Sequence, residues 1–253
     1  DYAKGLEGVI ANESALSNVE GLEGRLSYLG YSIDELVENC SFEETTYLLH
    51  FGKLPNTSEL ADFERSLRTN HEIPQGVIDF LKSAPKDANP MDVLRTGVSM
   101  LGLFDKRAGI GEPDQDANRE VAISLCAQTS VIVAYYHRAR QGLDLPPVRD
   151  DLSEAGHFLY LITGEEPSEA ATKTLDIAYI LHADHGMNAS TFSARVTVAT
   201  LSDFYSAMTS AVGTLKGPLH GGANEGVIKM LQEIGSLDKV DAYVEDCLEN
   251  KKK

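Results

Sequence analysis

From Ser32 onward the chain is punctuated as one short helix after another, and this punctuation limits the fold more than any other feature. Ser32 stands as a cap before residues 33–39. Ser41 and Glu44 form an S-x-x-E capping box ahead of residues 42–50, which Gly52 ends. Pro55 and Thr57 precede a helix over 58–70, Pro74 one that runs to Lys82, and Pro90 one over 91–101. Residues 105–117, with glycines, a proline and no periodicity, are expected to form an exposed loop. Val121, Leu125, Gln128, Ile132 and Tyr135 recur near helical spacing, so 118–141 is predicted to be a central, mostly buried helix stopped by Gly142. Ser153 opens 154–162, Gly164 closes it, and Pro167 begins a helix that runs to Asp184. Residues 190–214, rich in Ala, Ser, Thr and Val and free of proline, read as one long helix. Further helices are expected over 223–234 and from about Lys239 to the lysines at 251–253. Only the first thirty residues, glycine-rich and alternating near Gly24 to Leu29, suit small strands. The fold class is mainly α with a small N-terminal β element, without a fixed repeat or low-complexity linker.

With 253 residues the chain can bury a substantial core without cross-links. Cys40, Cys126 and Cys247 are widely separated and odd in number, which suggests neither a disulfide framework nor a cysteine zinc site. A net charge of −17 disfavours a nucleic-acid partner, because binding a polyanion needs a basic face. The longest purely apolar run, residues 131–136, is far too short to cross a bilayer, and no basic and apolar leader opens the sequence. A soluble, untargeted, cytoplasmic protein is expected, with no membrane partner.

Two breaks in the helical pattern carry histidines. The first is His182-Ala183-Asp184-His185-Gly186-Met187-Asn188, and the second is Gly217-Pro218-Leu219-His220-Gly221-Gly222-Ala223-Asn224. At each, an imidazole can point into a cleft. The first admits three readings. His182 and His185 cap a helix end, or bind a substrate, or join His220 around zinc, although no HExxH arrangement or adjacent acidic base accompanies them. His220 stands just before a helix, where a neutral imidazole can donate a hydrogen bond to an oxygen that becomes negative, as in an enolate. Its flanking glycines allow a ligand close to the backbone. The bland alternative is a glycine-rich turn with an incidental histidine. Gly109-Ile110-Gly111 is no phosphate loop, since no Lys-Ser or Lys-Thr follows it. His50, His71, His137 and His157 read as surface or core residues, Arg195 and Lys216 as ordinary cations near the turns. No Ser-His-Asp order is evident.

Together with Gly5-Leu6-Glu7-Gly8-Val9-Ile10 and Gly30-Tyr31-Ser32-Ile33-Asp34-Glu35-Leu36, the two histidine runs closely resemble citrate synthase over essentially the whole chain. The resemblance implies a multi-helical homodimer that condenses acetyl-CoA with oxaloacetate to give citrate and CoA, without a cofactor or metal. It implies that His220 hydrogen-bonds the thioester carbonyl and stabilises the enol or enolate, that His185 binds oxaloacetate, and that Asn188 supports the site. Residues 1–216 would form most of a large helical domain with the β segment, and 217–253 the start of a smaller one. Residues 91–101 and 190–214 resemble two of the helices at the family's dimer surface. The family's later histidine followed by Asp-Pro-Arg, and its later aspartate that removes the methyl proton, are not found in this sequence. The chain is therefore expected to be a truncated or cleaved form, nearly inactive alone. Three alternatives stand beside this reading: 2-methylcitrate synthase acting on propionyl-CoA, a non-catalytic helical dimerisation module, and a metal hydrolase using His182, His185 and His220.

Overall fold

The computed structural model describes residues 8–10, 12–107, 114–184 and 186–250, and for 223–225 the backbone alone. Its β part is a three-stranded antiparallel meander of β1 (Ser17–Glu20), β2 (Arg25–Tyr28) and β3 (Tyr31–Ser32). Ser17 pairs with Tyr28, and Ser27 with Ser32. Leu29 and Gly30 join the last two strands with φ of 49° and 93°, the left-handed pair that suits a tight hairpin. Glycine adopts this freely. Leu29 holds it while packing on the cluster of Tyr28, Leu36, Leu48 and Ile180.

Among the described residues twelve α-helices follow: α1 (Ile33–Asn39), α2 (Phe42–Phe51), α3 (Thr57–Thr69), α4 (Gln75–Ser83), α5 (Pro90–Phe104), α6 (Gln115–Gln141), α7 (Glu154–Thr163), α8 (Glu169–His182), α9 (Ala189–Val198), α10 (Phe204–Leu215), α11 (Gly222–Ile234) and α12 (Val240–Glu249). The mainly α fold class read from the sequence is the one observed. The Ser41–Glu44 capping box forms, and the same reciprocal bonding occurs at Ser32–Glu35 and Asn56–Glu59. Gly52, Gly142 and Gly164 end α2, α6 and α7 in the left-handed conformation.

The centre of the molecule is α6, whose 27 residues span about 40 Å. Helices α3, α4, α5, α7 and α10 pack against it. Val131, Ile132, Tyr135 and Tyr136 join Val98, Leu101 and Leu161 in one core, while Ile123 and Ala127 join Tyr47, Phe63 and Leu67 in a second. Apolar residues on more than one side of a helix require partners on more than one side, which fixes α6 inside the bundle.

Two expectations need correction. The helix expected over 190–214 is a hairpin of α9 and α10. Leu201 reverses the chain with φ of 64°, and Asp203 starts α10 by accepting the Ser206 N–H at 2.9 Å. A polar side chain in position to cap outweighs a composition that would otherwise continue the helix. The loop expected over 105–117 is likewise shortened. Residues 108–113 lie outside the described ones, but Asp114 caps α6, which therefore begins three residues early. At the other end of this stretch Arg107 grips Asp105 through a fork of hydrogen bonds, and the Tyr205 hydroxyl donates to the same carboxylate. Burial pushes the Asp105 carboxyl up, but these donors outweigh it and hold the group at about 2.

Gly97 of α5 meets α6 so closely that an added methyl would lie 3.0 Å from Ile132 Cγ2. Ile132→Ala is expected to cost about 2–5 kcal/mol and Gly97→Ala about 1–3 kcal/mol in urea unfolding. Combined, the two should cost less than their sum, because one relieves the crowding that the other creates. Strictly additive costs would show that they do not share a packing site.

Candidate active site

The first histidine turn is held in place by the small sheet. Helix α8 ends at His182 with carbonyls that no longer have helical donors. Tyr28, wholly buried on β2, donates its hydroxyl to the Ile180 carbonyl at 2.9 Å and accepts the Asp184 N–H at 3.2 Å. Burial pushes this phenol's pKa up, which keeps its proton available for donation. The Asp184 carboxylate accepts the Gly186 N–H at 2.7 Å and the hydroxyl of Ser17 on β1. Gly186 has φ of 87°, so the chain turns there where a side chain would be strained. Asn188 closes the turn. Its side-chain oxygen accepts the Thr191 N–H at 2.9 Å and so caps α9.

The second turn returns to the first because α9 and α10 fold back on each other. A single straight helix of 25 residues would have set the turns about 37 Å apart. Instead Nε2 of His220 lies 2.7 Å from the hydroxyl of Ser190, in the first turn of α9. Small side chains allow the hairpin to close, and the hydroxyls of Ser193 and Ser210 bond across it. Lys216, at the end of α10, donates to both carboxylate oxygens of Asp92 on α5 at 2.7 and 2.6 Å. It is committed to that pair.

The glycines after His220 are required by close approach. A β-carbon on Gly221 would lie 2.6 Å from the Leu215 carbonyl oxygen, and one on Gly222 would lie 3.0 Å from that of Gly217. The His220 N–H donates to the Gly217 carbonyl at 2.9 Å, which folds 217–220 into a tight turn ahead of α11. His220 is half-buried. Ser190 meets Nε2, so with the serine hydroxyl as donor the ring proton sits on Nδ1, which has no hydrogen-bond partner among the described residues.

Of the residues singled out from sequence, the structure thus brings His220 to the α9 end of the Asn188 turn. His185 lies outside the described residues. His182 is exposed, and its Nδ1 is 2.7 Å from the Ala178 carbonyl of its own helix. Among the described residues no group of three or more His, Cys, Asp or Glu side chains is placed to hold a metal ion. Sequence reasoning missed Tyr28, Ser17 and Ser190. Ser190 had a local signal, since it stands two residues after a cap, while the other two are set by contacts distant in sequence.

A family model described as citrate synthase, C-terminal domain, matches residues 5–253. Citrate synthase of Deinococcus radiodurans is 49% identical over 253 residues, covering 100% of this chain and 67% of the relative. 2-Methylcitrate synthase of Shewanella oneidensis is 42% identical over 238 residues, covering 94% of this chain and 62% of the relative. Among solved structures, citrate synthase from Thermotoga maritima aligns with a TM-score of 0.85 at 41% identity, covering 99% of this chain and 65% of that one. A ternary complex of carboxymethyl coenzyme A and oxaloacetate with citrate synthase from Thermoplasma acidophilum aligns at 0.92 with 30% identity, covering 100% and 66%. The chain spans about two thirds of the length of these relatives.

Tyr28→Phe removes one hydroxyl from two backbone partners. It is expected to cost about 1–3 kcal/mol and to speed amide exchange at Asp184 and Gly186 more than at Val131 in the core. Equal acceleration at all three would show that the phenol does not hold the turn.

Proposed function

Because the chain belongs to the citrate synthase family, we propose that it serves the condensation of acetyl-CoA with oxaloacetate and water to give citrate and CoA. The observation that carries this reading is the 2.7 Å contact between Ser190 and His220 Nε2, which joins the two histidine runs and leaves Nδ1 for a ligand. With its N–H at Nδ1, His220 donates to the thioester carbonyl of acetyl-CoA. As a base removes a methyl proton, negative charge gathers on that oxygen, and a donor already oriented toward it stabilises the enolate. The enolate carbon then bonds to the ketone carbon of oxaloacetate, and water cleaves the resulting thioester to release CoA. His185 binds oxaloacetate in this scheme. Asn188 holds the start of α9, and with it Ser190, in register. Acetyl-CoA is a substrate, and no cofactor or metal is called for.

The base and the histidine that polarises oxaloacetate are the groups that the resemblance assigns, in that order, to a later aspartate and to a histidine followed by Asp-Pro-Arg, neither of which is found in this sequence. The 253-residue polypeptide alone therefore carries the enolate-stabilising part of the machinery. Exposed apolar side chains on α11 and α12, among them Ile228, Leu231, Val244 and Leu248, support the assignment of 217–253 to the start of a second domain. Exposed Leu103 of α5 and Val196 of α9 support a homodimer built on these helices. Among the described residues no helix is long and apolar enough to cross a membrane. Relatives named 2-methylcitrate synthase favour propionyl-CoA as the second reading. One methylene changes selectivity by about 1–3 kcal/mol, so relative rates with the two acyl-CoA substrates separate the readings.

The deciding assay is thiol release from acetyl-CoA on adding oxaloacetate, with the polypeptide mass recorded on the same sample. The 253-residue polypeptide is expected to be nearly silent, and saturable citrate formation at that mass overturns the assignment of the base. In a longer polypeptide that turns over, His220→Ala is expected to lower kcat by about 10²-fold or more. Ser190→Ala should lower it by up to about tenfold, the worth of one orienting hydrogen bond, with the KM for oxaloacetate unchanged.

A further inference from the structure

Away from the two turns, His71 and His157 lie face to face with ring centroids 3.8 Å apart and planes 16° apart. Both are wholly buried. His71 stands in the joint between α3 and α4, and His157 on α7. Nε2 of His71 is 2.8 Å from Oε1 of Glu154, the first residue of α7, and the Glu154 N–H donates to Oε1 of Glu43 on α2 at 2.8 Å. Nδ1 of His71 and both ring nitrogens of His157 have no hydrogen-bond partner among the described residues. The cluster thus ties three elements together through one stack.

Other groups set the field around it. Glu43 faces it from α2 and Glu154 from α7; Asp176 of α8 acts on Glu43, while burial first and then the Glu154 carboxylate push up the pKa values of Cys126 on α6 and Tyr179 on α8. From the segment before α7 comes Arg149, itself paired with Asp151 and Glu166. One charged ring can be compensated by Glu154. Two charged rings stacked at this distance and wholly buried repel each other with little solvent screening, so the second proton is strongly opposed.

We propose that the His71–His157 stack is a proton-operated latch, which holds α7 to α2 and to the α3–α4 joint while at most one ring is charged and releases α7 when a second proton arrives. Helix α7 lies against both α6 and α8, and α8 carries the turn over 183–188. Acid therefore weakens the footing of that turn from a distance.

The direction of the effect follows from His157. Burial first, then His71 and Arg149, push its pKa down from 6.5 to about 3. Between those values the unfolded chain holds a proton that the folded chain refuses, so stability falls as pH falls, by about tenfold in the unfolding constant per pH unit. Glu43 acts in the opposite sense. Burial raises its carboxyl above 4.5, so its contribution is present at low pH and is lost as pH rises through the raised value.

The test is urea unfolding of this polypeptide and of His157→Phe, which keeps a ring in the stack but removes its proton site, from pH 7.5 to 5. Below about pH 6.5 the parent should lose stability more steeply than the variant by one proton, about tenfold per pH unit. Equal slopes overturn the proposal. If His157→Phe does not fold, ¹³C-histidine-labelled parent protein supplies the second measurement. The His157 ring should remain unprotonated over this range while the protein is folded, and a His157 signal that titrates near 6.5 in the folded state overturns the proposal equally.

Discussion

A helix that ends inside a protein must find donors for its last carbonyls, and at the end of α8 one of them is a phenol from a strand 152 residues earlier. Tyr28 does two things there at once. It satisfies the Ile180 carbonyl and receives the Asp184 N–H, so the same hydroxyl finishes the helix and begins the turn. The sheet is too small to form a core of its own. It acts as a bracket, with Ser17 reaching Asp184 from the neighbouring strand and the buried ring of Tyr28 packed against Ile180.

The second constraint is the closeness of α9 and α10. Alanines favour a helix, while serines and threonines cost it up to about 0.7 kcal/mol each, and all three leave little side-chain bulk between the two axes. The hairpin turns that lack of bulk into placement, because it carries His220 back to the start of the helix that Asn188 caps. The glycines at 221 and 222 continue the same economy of volume, allowing α11 to leave directly over the end of α10. The histidine proposed to stabilise the enolate is thus oriented by residues whose main property is small size.

What could be read in the sequence was local. Ser41–Glu44, Pro90 and Gly142 announce helix boundaries within a turn of where they act, and those boundaries are observed. The hairpin at 199–203 escaped because it contains neither proline nor glycine, and its one signal was Asp203 in a position to cap. In the candidate site, His220 and Asn188 were visible through their unusual surroundings. Ser190 carries only a weak local mark, its place two residues after the Asn188 cap, and otherwise reads as one more small residue of a helical run. Tyr28 and the His71–His157 stack had no local mark at all, since each is defined by partners that the chain reaches only after many more residues.

That separation also has a bearing on time. Contacts between distant segments form slowly, and at a synthesis rate of ~5–20 residues per second the chain needs roughly 8–30 s to pass from Tyr28 to Ile180. Throughout that interval the strand carrying Tyr28 exists without the helix end that it will complete. The bracket is made first and used last, so the turn over 183–188 can reach its final shape only after the sheet and α8 have met.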